Sequence, residues 1–186
     1  MQRSLFYWSS MIFHEEFILK APHTEAWEFF SDFPDAIGAL PGLISVKQKN
    51  PQLYTGAVQI ALGPFTFWFE GEIRIRNVDY EEFRVVLDGD ARDTVLGARF
   101  KATAYAQTVA DGPNQSRILL EVHVGWGGML GKVGNWALTP QAGSVVERYR
   151  LLCERSLERR RRERVKVSPP LPSPPEPSPP TPEDTP

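Results

Sequence analysis

The stretch from Ala21 to Phe33, closely followed by Leu40-Pro41-Gly42, constrains the fold more than any other part of the chain. Pro22 cannot donate to a strand ladder but suits the first turn of a helix, and Thr24 is a competent N-cap. Trp27, Phe30 and Phe33 recur every third residue, a spacing that predicts an aromatic face on one helix. Before it, Ile12 to Lys20 reads as a strand. After it, Pro34 and the Leu40-Pro41-Gly42 turn are expected to end a second short helix and hand over to a new strand. A strand, two tight helices and then strands alone is a restrictive order of elements.

Alternation governs the next seventy residues. Tyr54, Gly56, Val58, Ile60 and Leu62 share one parity, and Gly63-Pro64 marks a turn. Phe65, Phe67, Phe69, Gly71, Ile73 and Ile75 then alternate with Thr66, Trp68, Glu70, Glu72, Arg74 and Arg76, a pattern with one wet face and one dry face. Phe83, Val85 and Leu87 lead to an expected turn at Asp88-Gly89-Asp90. Phe100, Ala102, Ala104 and Ala106 form the next inward row. After a loop at residues 111–114 come Ile118, Leu120, Val122 and Val124. About seven strands with short connections imply one curved antiparallel sheet whose apolar face needs a cover. The C-terminal helix supplies it through Val145, Val146, Tyr149, Leu152 and Cys153. Pro140 is expected to separate that helix from a shorter turn of helix between Leu130 and Leu138.

A chain of 186 residues suits one domain. The expected organisation is an N-terminal extension over 1–10, with Met11 as an alternative start, a ligand-binding domain over 11–165 and a disordered tail over 166–186. From Ser168 onward ten of nineteen residues are proline, too few apolar groups for a core. The lone Cys153 excludes an internal disulfide or thiolate cluster and reads as a small buried hydrophobe. No apolar run reaches bilayer-spanning length and the first ten residues make a poor signal peptide, so the expected location is cytoplasmic, with the inner membrane face as an option.

Charge is uneven. Residues 12–153 hold 13 basic and 17 acidic groups, whereas residues 154–166 hold seven basic and three acidic, with Arg159-Arg160-Arg161-Arg162 unbroken. No aromatic residue interleaves with the run, which argues against nucleic acid. The run either complements the helix dipole or makes weak peripheral contact with an anionic membrane or an acidic partner.

Three alanines in line, Ala102, Ala104 and Ala106, suggest room beneath the helix. The expected cavity carries Phe65, Phe67 and Phe69 on one side and Phe100, Ala102 and Ala104 on another. Val58, Ile60, Val122, Val145 and Tyr149 extend the lining, and Phe33 and Leu40 stand at the rim. Its occupant would be a hydrophobic small molecule. The alternative is that the alanines let the helix approach closely. Glu15, between Phe13 and Phe17, is the one catalytic candidate if buried as a base; near an exposed strand end it would merely face water. His14 and His123 become neighbours if the first and last strands pair, but both have solvent-side parity and read as a surface pair, so no metal is expected. The Gly125 to Gly134 run lacks the Lys-Ser/Thr of a phosphate loop and reads as a mobile gate.

Taken in order, the first strand, Ala21-Pro22, Trp27, Asp32, Leu40-Pro41-Gly42, Tyr54-Thr55-Gly56, Leu62-Gly63-Pro64, Phe69-Glu70-Gly71 and the glycine-rich Gly125 to Gly134 resemble the carbon monoxide dehydrogenase G-subunit family. That family sits within the START, Bet v 1-like and polyketide cyclase (SRPBCC) superfamily, and the resemblance covers residues 11–153. It implies an α+β helix-grip fold, a seven-stranded curved sheet around a long C-terminal helix with two short helices after strand 1. It also implies a pocket for a lipid-like ligand, so a bound lipid or quinone replaces any conventional cofactor. The implied role is non-catalytic: accessory to a molybdenum hydroxylase complex of the carbon monoxide dehydrogenase type, in maturation or membrane recruitment. The alternative is a polyketide cyclase/dehydrase-like enzyme acting on a small hydrophobic substrate. Family members often end in a membrane-seeking segment; here the tail has no apolar residues beyond Val165, Val167 and Leu171.

Overall fold

Alternation from Ser9 to Leu19 produces the first strand, β1, with odd-numbered residues turned inward and Phe17 and Leu19 buried. The computed structural model describes residues 9–62, 65–93, 95–128 and 135–167. After β1 come α1 (His23–Ser31), α2 (Phe33–Gly38), β2 (Leu43–Asn50), β3 (Leu53–Leu62), β4 (Phe65–Asp79), β5 (Arg84–Asp93), β6 (Arg99–Ala110), β7 (Ser116–Gly127) and α3 (Asn135–Val167). The first eight residues of the expected extension, the Gly63-Pro64 turn, the 129–134 part of the expected gate and the tail from 168 lie outside the described residues.

The seven strands form one antiparallel sheet in the order β1-β7-β6-β5-β4-β3-β2. Every strand but β1 lies beside a sequence neighbour; β1 closes onto β7, with Phe13 opposite Val122 and Phe17 opposite Ile118. The inner face is covered by α1, α2 and α3, giving the helix-grip architecture. Among the described residues no helix is long and apolar enough to cross a membrane.

Several local expectations give way to tertiary context. Pro22, not Thr24, occupies the N-cap of α1 and provides no side-chain cap; Thr24 lies inside the helix. Pro34 opens α2 rather than closing it, as its fixed φ and missing N–H allow. Trp27 and Phe30 part company. Trp27 packs edge-on against Tyr80 and Phe83 of the β4–β5 turn, while Phe30 enters the core beside Phe29. Asp88-Gly89-Asp90 makes no turn: β5 runs straight through, paired with Arg74, Ile73 and Glu72 on one side and Thr103, Ala102 and Lys101 on the other. Two ladders outweigh a local turn preference. Pro140 does not divide the C-terminal helix, since α3 is continuous from Asn135. In its second turn the missing N–H forfeits only one bond near the helix start.

Among the described residues, buried side chains form three clusters. One joins β1 and β7 to α1 and α3 through Phe17, Leu19, Phe29, Phe30, Ile118, Cys153 and Leu157. A second gathers Phe67, Phe69, Val124 and Trp126 at the other end of the sheet. The third seats Ile37 of α2 on Tyr54 and Ile75. The clusters share no residue.

Candidate functional site

The inward rows of the sheet are small where the second and third clusters meet. Reading across from β3, Tyr54 stands beside Ile73, Gly89, Ala102 and Val124. The next row holds Ile75, Leu87, Ala104, Val122 and Phe13. A Cβ added to Gly89 would meet nothing nearer than the Glu72 carbonyl oxygen at 4.0 Å. Ile73, Leu87, Ala104, Val122 and Phe13 all remain half-buried although they face the interior. Space therefore lies in front of Gly89 and Ala104. Of the helices, α1 meets β6, while α3 lies mainly against β1 and reaches β3.

Of the expected lining, Val58, Ile60, Phe67, Phe69, Phe100, Ala102 and Val122 come together in the second cluster. There Phe67 stacks on Phe69 at 5.8 Å between ring centroids, and Phe69 meets Phe100 at 6.1 Å. Phe33 and Leu40 pack with the third cluster. Tyr149 belongs to the first, edge-on to Phe17, with its hydroxyl donating to the Ala36 carbonyl at 3.0 Å. Burial, reinforced by neighbouring Cys153, pushes the Tyr149 hydroxyl pKa well up. Ala104 sits between Leu87 and Val122, in none of the clusters. Val145 is 44% exposed and belongs to none of the three clusters. The inward stripe of α3 is Val146, Tyr149, Leu152, Cys153 and Leu157: four of the five expected residues, with Leu157 in place of Val145. The Phe65 side chain lies outside the described residues.

Trp126 is the buried residue that the sequence pattern conceals. Its parity continues Ile118 to Val124, but the surrounding glycines give it the look of a loop. It is wholly buried with its indole N–H unpartnered, a cost of about 1–3 kcal/mol that its aromatic surroundings must offset.

Glu15 does not lie at an exposed strand end. It stands in the middle of β1 opposite Leu120, half-buried on the row of Phe13 and Phe17, and makes no hydrogen bond or ion pair with a described residue. Cys153 is a buried thiol pushed up to about 12 by desolvation, so it is unreactive near neutral pH. His14 and His123 do reach one another's neighbourhood on the outer face, joined by Glu121 at 3.6 and 2.6 Å. No group of three or more His, Cys, Asp or Glu among the described residues could hold a metal ion.

Two depressions of about 510 and about 810 Å³ also lie on the outer face. Both are open to solvent and mix charged with apolar groups. In the larger one the cations are already matched, Arg76 to Asp88 at 3.1 Å, Lys101 to Asp90 at 3.0 Å and Arg74 to Glu72 at 3.3 Å. The larger one also touches Gly89, Ala102 and Val124, whose strands it overlies.

The arginine run is not a free cationic patch. Arg160 bonds Asp32 and Asp35, Arg161 bonds Glu25 at 2.6 Å and the Lys20 carbonyl at 3.1 Å, and Arg164 bonds Glu28 at 2.7 Å. These contacts clasp α1 and α2 onto the end of α3, leaving Arg159 and Arg162 facing solvent.

Comparison with known proteins agrees with this architecture. The sequence family described as the carbon monoxide dehydrogenase G subunit (CoxG) matches residues 16–150. No curated protein matches the chain. Among solved structures, a conserved protein from Geobacillus kaustophilus is similar with a TM-score of 0.71 at 12% identity, over 80% of this chain and 96% of that one. A START superfamily protein from Mycobacterium smegmatis gives 0.61 at 14% identity, over 80% and 97%. The ZhuI aromatase/cyclase from Streptomyces sp. R1128 gives 0.52 at 12% identity, over 86% and 98%. With helix-grip topology, inward small-residue rows and a family match spanning most of its domain, the chain belongs to the carbon monoxide dehydrogenase G-subunit (CoxG) family.

Proposed function

We propose that the protein is a non-catalytic carrier of a hydrophobic small molecule, lipid-like or quinone-like, serving a molybdenum-containing carbon monoxide dehydrogenase-type enzyme in maturation or membrane recruitment. One observation carries the ligand reading: residues of the second and third apolar clusters flank Gly89 and Ala104 across the sheet, and a Cβ at Gly89 would meet nothing nearer than 4.0 Å. Protein interiors normally pack without such gaps, and an apolar concavity is the usual receptacle of an apolar ligand. The family's name supports the choice of partner enzyme.

Filling the space is the test. Gly89→Leu and, on the neighbouring strand, Ala104→Phe should each abolish uptake of the fluorescent probe anilinonaphthalene sulfonate and leave the melting temperature nearly unchanged. In an already packed core the same enlargements would cost about 1–3 kcal/mol. Strong destabilisation, or undiminished uptake in both variants, would sink the reading. Mass spectrometry of an organic extract of the purified protein then identifies the ligand class.

A second reading, a cyclase-like enzyme acting on a small hydrophobic substrate, draws on Glu15, an inward carboxylate without a partner among the described residues. Glu15→Gln separates the two: a carrier keeps its ligand handling, whereas turnover of a small polyketide that vanishes in this variant would make the protein an enzyme.

A further inference from the structure

Arg148, Arg155, Arg159, Arg162 and Lys166 fall at i, i+7, i+11, i+14 and i+18 along α3. At 3.6 residues per turn they lie within about 60° of the helix circumference and extend about 27 Å along its axis. All five are exposed, and none makes a hydrogen bond or ion pair with a described residue. Five exposed cations in a single row without an ion pair attract a complementary partner.

The other side of the same helix shows what chemistry complements it. There Arg160, Arg161 and Arg164 are met by Asp32, Asp35, Glu25 and Glu28, all carried by the α1–α2 helical segment. An acidic helix is thus already docked along one side of α3. We propose that the outer row docks a second acidic helix, supplied by a partner protein.

Three details favour that occupant over others. Glu158 and Glu163 border the row at about 60–80° on either side, so a broad flat anionic surface would meet both along with the cations, whereas a helix lying along the row has the cations beneath its axis and these carboxylates only at its margins. Val145 and Leu151, 44% and 40% exposed, flank the N-terminal end of the row and offer the apolar edges a packed helix uses. A second copy of this chain is a poor match, because its own α1–α2 carboxylates are engaged by its own arginines. The inference is independent of what the interior binds.

Two alanine-based helical peptides of equal charge test it against the full-length chain at low ionic strength, read by fluorescence anisotropy. One carries glutamates at i, i+4, i+7 and i+11 on a single face; the other distributes them around the helix. The one-face peptide should bind, and the distributed peptide should bind about tenfold more weakly. Arg155→Glu with Arg162→Glu should cost about tenfold in affinity for the one-face peptide with an unchanged melting temperature, and Arg155→Gln with Arg162→Gln should fall between that variant and the native chain. Equal affinity for both peptides, or unchanged affinity in the reversed variant, would overturn the proposal. So would binding to phosphatidylglycerol vesicles by a chain that ignores the one-face peptide, which would mark the row as a membrane contact.

Discussion

Asp93 is a buried carboxylate with no cation beside it among the described residues; backbone amides alone satisfy it. One oxygen accepts from the Trp68 amide at 2.7 Å, and the other from the Val95 and Leu96 amides at 2.8 and 2.6 Å. Burial by itself would raise its pKa, but the Leu96, Trp68 and Val95 amides outweigh burial and hold the carboxyl below the usual carboxylate range. The folded chain therefore binds this proton less readily than the unfolded chain. The stabilisation is complete above about pH 4, the unfolded value, and is lost as pH falls through the lower folded one. Asp93→Asn should accordingly cost more stability at about pH 7 than at about pH 3, measured by urea unfolding at both; equal costs would show that the charge is irrelevant. Asp93→Ala strands all three amides and should cost about 2–4 kcal/mol, a fall in Tm of several degrees.

At the scale of elements, the end of β7 is fitted against the turn between β5 and β6. Gly128 has φ of +66°, and a Cβ there would lie 1.9 Å from the Gly97 carbonyl oxygen. Gly128→Ala should cost about 2 kcal/mol or more by thermal unfolding, because strain and backbone collision coincide. An unchanged melting temperature would mean that the two turns part freely. This glycine thus secures a close approach, where the glycine-rich run reads in the sequence as a loose gate. The strands themselves are legible, since period-two alternation survives in any antiparallel sheet with one wet face. Legibility fails where long-range partners decide. The arginine run looks solvated in the sequence because its carboxylates lie on α1 and α2, far back in the chain. Those same contacts, with Tyr149 anchored to Ala36, set the rotation of α3, so Leu157 faces inward and Val145 outward. Asp88-Gly89-Asp90 carries turn chemistry but lies between two paired strands. Of the inward rows, the side chains on β3, β4, β6 and β7 can be read from parity; Gly89 on β5 and Trp126 cannot.

The whole molecule depends on α3 as a lid fixed at one end by charge and along its length by packing. Truncation after Gly143 removes Val146, Tyr149, Cys153 and Leu157 from the first cluster together with every arginine of the clasp. The shortened chain should show no cooperative thermal transition by circular dichroism; a sharp one would mean that the sheet does not need its helix. The order of the strands has another consequence, for the chain as it is made. β1 is synthesised first, yet its hydrogen-bonding neighbour is β7, the last strand to appear. At about 5–20 residues per second, Phe13 and Phe17 leave the ribosome about 5–20 s before Val122 and Ile118 can cover them. The hairpins from β2 to β7 can assemble in sequence meanwhile, each from nearby residues. Joining β1 to them closes a loop of about a hundred residues, the slowest kind of contact to form. Until that moment the nascent protein carries a greasy strand with both edges bare, so its greatest exposure to aggregation comes before its sheet is complete.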